Sequence, residues 1–202
     1  MRLPLPKLRA CLSVAIAVLT ATPNAHSESA NFSIDKVVET VLAASQGNTD
    51  AQYCLGQMYF FGNGIPKNTS RAVHWYRQAA EQGQASAQYI LGKMYFQGEG
   101  VSKDLGRAAH WYRQAAEQDE ASAQNSLGLI YATGEGVSKD YIKAYYWWNL
   151  AATSGNENAA MNRDKVEKNI TAAQISKAQE MSRNFVPVET KKQHCKSSAV
   201  IV

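Results

Sequence analysis

The chain lacks the short motifs that announce catalysis. There is no His-Glu-x-x-His, no Gly-x-Ser-x-Gly and no paired Cys-x-x-Cys, so zinc-peptidase, serine-hydrolase and dithiol-redox chemistry have no sequence foothold. It also has little charge of one sign. Its 202 residues carry 21 Lys+Arg against 17 Asp+Glu, a formal net charge of +4. Arg2, Lys7 and Arg9 lie in residues 1–27, which hold no acid, so the rest of the chain carries only +1. Such a balance gives no electrostatic reason to expect nucleic acid or an anionic membrane as partner. Long apolar runs are missing too. Cys11–Leu19 is too short to span a bilayer comfortably. Behind its basic start, and ahead of small and polar residues with Ala25-His26-Ser27 as a tolerable cleavage site, it reads as a secretory signal peptide over 1–27. An uncleaved signal anchor is the alternative. Cleavage implies a periplasmic or secreted protein with no integral membrane segment. It leaves Cys54 and Cys195, which an oxidising compartment would permit to pair, although nothing in their pattern forces it.

What is present is a repeat. Ala51-Gln52, Ala87-Gln88 and Ala123-Gln124 recur at a step of 36 residues. The same step links Leu55-Gly56, Leu91-Gly92 and Leu127-Gly128, and also Trp75, Trp111 and Trp147. A period of this length indicates stacked helical hairpins, an all-α solenoid. In the first helix of each unit, Ala51, Leu55, Met58 and Tyr59 form one stripe, repeated by Ala87, Leu91, Met94, Tyr95 and by Ala123, Leu127, Ile130, Tyr131. Asp50, Ser86 and Ser122 are expected to cap these helices. The glycines at 56, 92 and 128 fall mid-helix, where Gly costs about 1 kcal/mol against Ala. Their recurrence predicts close approach by the backbone of a neighbouring helix.

Gly62, Gly98 and Gly134 suit left-handed helix ends, with Ile65, Val101 and Val137 folding back behind them. Asn68, Asp104 and Asp140 then cap the second helices. These glycine loops join helix to helix with no strand and no Lys-Ser/Thr, which argues against phosphate binding. Ala72, Trp75, Tyr76, Ala79 and Ala80 form the second-helix stripe, repeated by Ala108, Trp111, Tyr112, Ala115, Ala116 and by Ala144, Trp147, Trp148, Ala151, Ala152. The aromatic ladder is expected to be core.

Full repeats are placed at about 51–86, 87–122 and 123–158 within a repeat domain of 28–187. Residues 33–46 read as a degenerate second helix capping the N-terminal end. Residues 157–185 read as polar capping helices, since Arg163-Asp164 replace Leu-Gly and open arrays need polar ends. Thr171-Ala172-Ala173-Gln174 is a capping-box pattern, opening a helix with Ile175, Ala178, Met181 and Phe185 on one side, stopped by Pro187. Residues 188–202 read as a flexible tail with an apolar end, Ala199–Val202.

The pattern Ala-Gln-x-x-Leu-Gly-x-x-Tyr-x-x-Gly-x-Gly-Val-x-x-Asp, followed by Ala-x-x-Trp-Tyr-x-x-Ala-Ala, resembles the Sel1-like repeat family, a relative of tetratricopeptide repeats. Three in-register copies carry the resemblance over 51–154. The first copy departs modestly, with Ile65-Pro66 and Asn68 in place of Val-Ser and Asp. The resemblance implies an α/α superhelix that acts as a protein–protein adaptor without cofactor, bound metal or catalytic cycle. Similar secreted bacterial members are linked to envelope signalling, assembly of surface structures or host interaction.

In such arrays the first helices line the concave face. That assigns a partner protein or peptide to Tyr53, Gln57, Phe60 and Phe61 in the first unit. Tyr89, Lys93, Phe96 and Gln97 are the equivalents in the second, and Asn125 and Leu129 in the third. The competing expectation is that Phe60 and Phe96 complete packing between repeats. Two other classes remain. A β-lactam or peptidoglycan hydrolase would rest on Ser33-Ile34-Asp35-Lys36 and Ser154-Gly155-Asn156, but Lys-Thr-Gly is absent and Ser33 is more simply a helix cap. A glycan-binding structural module of the envelope is the other. His74 and His110 occupy one repeat position and are expected to be solvated, since packed helices about 10 Å apart cannot share an ion.

Overall fold

The computed structural model describes residues 34–188, and among them there are nine α-helices, one 3-10 turn and no strand. The expected signal peptide over 1–27, Ser33, Cys195 and the expected tail beyond Val188 lie outside the described residues. The chain is an all-α repeat fold. It divides into two compact units at Gln82 and Gly83.

In the first unit, α1 (Ile34–Ser45) precedes the hairpin of α2 (Thr49–Phe61) and α3 (Thr69–Glu81). In the second, α4 (Ala85–Gln97) pairs with α5 (Leu105–Ala116) and α6 (Ala121–Thr133) with α7 (Tyr141–Thr153). Then come α8 (Glu157–Val166), a 3-10 turn (Glu167–Asn169) and α9 (Ala172–Arg183). None of these helices is long and apolar enough to cross a membrane.

The glycine loops behave as their sequence suggests. Gly62, Gly98 and Gly134 end α2, α4 and α6 in the left-handed region at φ 80, 75 and 78°, a conformation that costs glycine nothing. Six residues on, Asn68, Asp104 and Asp140 do two jobs. Each backbone N–H donates to the carbonyl of Tyr59, Tyr95 or Tyr131 at 2.7–2.9 Å. Each side-chain oxygen accepts from the first turn of α3, α5 or α7. The loop is thereby closed by the residue that starts the next helix.

First-helix caps differ from the expectation. The helices begin at 49, 85 and 121, so Asp50, Ser86 and Ser122 lie inside the first turn. The cap positions are Asn48, Gln84 and Glu120. Asn48 and Gln84 accept the N–H of Ala51 and Ala87, whereas Glu120 makes no side-chain cap bond. Helices α2 and α4 therefore start two residues earlier than caps at 50 and 86 would place them, while Asp50 buries an Oδ1 with no hydrogen-bond partner.

Each hairpin is keyed by a ring in a glycine notch. A Cβ on Gly56 would stand 2.7 Å from Tyr76 Cδ1, one on Gly92 2.8 Å from Tyr112 Cδ1, and one on Gly128 2.6 Å from Trp148 Nε1. The neighbour that approaches is a side chain, not the expected backbone. The tryptophan ladder also needs correction. Tyr76, Tyr112 and Trp148 are the buried rings, whereas Trp75 and Trp111 are half-buried. They lie edge-on to exposed His74 and His110, at 5.1 Å between centroids in each pair. Trp147 alone of the three is buried, packed edge-to-face on Phe185 at 6.4 Å. The segment after α9 holds that contact, with the Val188 N–H donating to Glu117 O at 2.8 Å.

The ends differ as well. Helix α1 buries Val37, Val41 and Ala44 but exposes Ile34, Val38 and Leu42, so the N-terminal cap is apolar outside. In α9 the capping box of Thr171 and Gln174 forms as expected. Met181, however, is exposed, and Gln179 takes the inner position by donating to Tyr145 OH at 2.9 Å.

Candidate interaction surface

On α2 the buried arc runs through Gln52, Leu55, Gly56, Met58 and Tyr59. Tyr53, Gln57, Phe60 and Phe61 occupy the remaining face, as helical spacing requires. Tyr53 is half-buried, its ring 5.7 Å from that of Tyr76, and Gln57 Nε2 donates to its hydroxyl at 3.2 Å. Phe60 is half-buried, edge-on to Phe61 at 5.0 Å with Lys67 Nζ 5.6 Å from its ring centre. Phe61 is 63% exposed.

The second unit repeats the plan on α4. Tyr89 is half-buried, 5.8 Å from Tyr112, and Phe96 lies under Lys103 Nζ at 5.9 Å. Lys93 and Gln97 are exposed. On α6 the plan changes. Asn125 stands where a tyrosine stood, its carbonyl accepting from Trp148 Nε1 at 3.1 Å while its buried Oδ1 makes no hydrogen bond. Leu129 is 45% exposed. Tyr53, Tyr89 and Asn125 thus share in hairpin packing, against the expectation of a freely presented row. Phe61, Lys93, Gln97 and Leu129 are the fully exposed members.

The electrostatics keep the tyrosines of these hairpins protonated. Burial, and secondarily Tyr53, pushes the Tyr76 phenol well above its ordinary pKa. Burial and Tyr89 do the same for Tyr112, opposed by a hydrogen bond with Ser126. Tyr89 is raised by burial and by the Glu120 charge, again opposed by Ser126. These hydroxyls are neutral hydrogen-bonding groups at physiological pH, not phenolate nucleophiles. No group of three His, Cys, Asp or Glu side chains gathers as a metal site among the described residues. Ser154 and Asn156 of the expected Ser-x-Asn element end α7 and cap α8.

One set of residues escaped sequence reasoning. Gln52, Gln88 and Gln124 are buried. Gln52 donates to Ala44 O and accepts from Gln82 at 2.7 Å. Gln88 accepts from Gln118 at 2.7 Å, and Gln124 donates to Ala116 O and Asp119 Oδ1. Asp119 holds φ 65°, where Gly47, Gly83 and Gly155 stand at the equivalent positions. The repeated Ala-Gln pair was the available signal, and it marks ties from a first helix to the end of the helix before it, at Gln52 and Gln124, or of the helix after it, at Gln52 and Gln88.

The Sel1 repeat pattern matches residues 49–84, 85–120 and 121–156. The chain belongs to the Sel1 repeat family. Members are generally protein–protein interaction modules and typically non-catalytic scaffolds. No curated protein sequence matches this Sel1 repeat chain. Among solved structures it is similar to a Sel1 repeat protein from Oxalobacter formigenes, at 38% identity and TM-score 0.61 over 64% of this chain and 53% of that one. It is also similar to a protective antigen present in uropathogenic Escherichia coli strains, at 31% identity and TM-score 0.57 over 89% of this chain and 44% of that one. Helicobacter pylori cysteine rich protein B shares the fold, at 24% identity and TM-score 0.50 over 62% of this chain and 90% of that one. The chain spans about half the length of the first two.

Proposed function

We propose that this Sel1 repeat chain is a periplasmic or secreted adaptor that binds a protein or peptide on the core-averted face of its first helices, the concave face in the sequence reading. The observation that carries the proposal is the half-exposed edge of aromatic rings on α2 and α4, with Phe61, Lys93, Gln97 and Leu129 standing clear of the packing. Rigid aromatics flanked by polar groups are the usual anchors of protein interfaces. Tyr53, Gln57, Phe60, Tyr89, Phe96 and Asn125 are the half-buried residues of the same helices. The location rests on the leader-like residues 1–27.

The test is affinity capture from envelope extract by the mature chain, beside a variant carrying Phe61→Ala, Lys93→Glu, Gln97→Ala and Leu129→Ala. These side chains are exposed, so helicity by circular dichroism should be unchanged. A protein held by the wild type should be lost by the variant, and the purified partner should bind it at least about tenfold more weakly. Equal retention would move the site to another surface. Capture of peptidoglycan or polysaccharide alone would replace the adaptor reading with a glycan-binding one.

A further inference from the structure

Helices α4 and α6 of the second unit carry a single charged side chain between them, Lys93. Ser126 of α6 hydrogen-bonds with Tyr89 of α4, so these two first helices stand side by side. Lys93 and Leu129 hold the same repeat position on them, and both are exposed. Phe96 lies one turn from Lys93 on the same helix surface. It is half-buried, with Lys103 Nζ 5.9 Å from its ring centre. The second unit thus presents two ammonium groups about one ring, beside an exposed leucine.

Packing accounts for one of these cations and not for the other. A Cβ on Gly98 would stand 3.2 Å from Lys103 Cβ, so Lys103 lies at the end of α4. There its charge suits both the ring face and the helix C-terminus. Lys93 is mid-helix and has neither a ring nor a carboxylate as partner among the described residues. The acids bordering this face are Glu99 and Glu135, in the glycine loops, and Glu120, whose charge acts on Tyr89. None of them forms an ion pair with Lys93 or Lys103. The repeat fold does not require a cation at this position, since its counterparts are Leu129 and Gln57, which bonds to Tyr53.

We propose, resting on the adaptor reading of this face, that its partner segment is an acidic peptide. One carboxylate pairs with Lys93, a second pairs with Lys103, and an apolar side chain lies on Leu129. Charge complementarity selects the class. A neutral or basic segment laid over α4 and α6 would desolvate the Lys93 ammonium without pairing it, which is costly, whereas an acidic one supplies the missing partner. Packed helices stand about 8–10 Å apart and an extended chain rises about 3.3 Å per residue. A carboxylate at Lys93 and an apolar group at Leu129 therefore fall about three residues apart in the peptide. Exposed pairs of this kind govern partner choice and association rate more than raw affinity, and salt screens them.

The experiment selects random phage-displayed peptides on the exported chain, in parallel with Lys93→Gln/Lys103→Gln. Both lysines are exposed, so helix content by circular dichroism should match. Peptides recovered on the wild type should be rich in Asp and Glu with apolar residues among them. A synthetic copy of the leading peptide should bind the lysine variant about fivefold more weakly, weaken with added salt, and lose binding when its acids become Asn and Gln. Neutral or basic winners, or acidic winners held equally by the lysine variant, overturn the acidic class. If such winners are lost on Phe61→Ala/Leu129→Ala, the adaptor reading stands without it. Recovery of no peptide, with binding of phosphatidylglycerol vesicles that the lysine variant abolishes, replaces the acidic peptide with an anionic lipid surface. Recovery of no peptide and no vesicle overturns the acidic class together with peptide binding on this face.

Discussion

Glycine 92 and tyrosine 112 show how a single position sets the hairpin. A methyl group at Gly92 would meet the ring at 2.8 Å, a separation real contacts do not show. Alanine gains about 1 kcal/mol of helix propensity but must displace a wedged ring, which typically costs about 1–3 kcal/mol. Gly92→Ala is therefore expected to lower stability in urea denaturation, and to cost less in a Tyr112→Ala background. Equal cost in both backgrounds would mean the notch is not the reason. The recurrent mid-helix glycine was legible in the sequence, but the ring that fills it was not. Trp75 and Tyr76 are adjacent, so both repeat at 36 and both belong to an apolar stripe. Only the 100° between neighbouring helical positions decides which ring meets the glycine. The same buried rings set the response to alkali. Tyr76 and Tyr112 have folded pKa values above the unfolded value of about 10, so the folded state favours the neutral phenol. Their contribution is fully present below pH about 10 and is lost as pH rises through that value toward the raised ones. Urea midpoints should hold from pH 7 to 9 and fall above about 10, with a shallower fall in Tyr76→Phe/Tyr112→Phe.

Helix starts separate what local chemistry can announce from what it cannot. Asn68, Asp104 and Asp140 were legible because an Asx residue before an apolar stripe is a strong cap. In α4 and α6 the cap positions Gln84 and Glu120 are weak cap residues, so Ser86 and Ser122 two positions on look better, and in α2 Asp50 competes with Asn48, an equally good cap. In α9 the reciprocal bonds of Thr171 and Gln174 close the N-terminus at 2.8 and 3.3 Å. Thr171→Ala should destabilise α9 by about 1 kcal/mol, read as faster hydrogen exchange over residues 172–183 with little change in α4–α6. Uniformly faster exchange across the second unit would mean α9 does not open on its own. The stripe expected on that helix was half right: Ala178 is buried, but Met181 faces solvent and Gln179 faces Tyr145. A polar residue with a hydroxyl to meet is invisible to a hydrophobicity pattern.

At the scale of the molecule, a 36-residue period was enough to specify an all-helical repeat fold and its family. It was less informative about the surface, because a repeat announces what every unit shares and a binding face depends on what they do not. Asn125 replaces Tyr53 and Tyr89, Leu129 replaces Gln57 and Lys93, and Phe61 has Gln97 and Thr133 as counterparts. Core and surface also share positions. Tyr53 and Tyr89 pack against their hairpin partners while keeping an edge exposed, which spacing alone cannot resolve. The central claim is that partner contact lies on the first helices, not on the outer His-Trp positions of the second. Site-specific photo-crosslinking tests it most directly, with the reactive side chain placed in turn at Phe61, Lys93, Leu129, His74 and His110, all of them exposed. The account predicts a crosslinked partner from positions 61, 93 and 129 and none from 74 and 110. Crosslinks confined to 74 and 110 would contradict it.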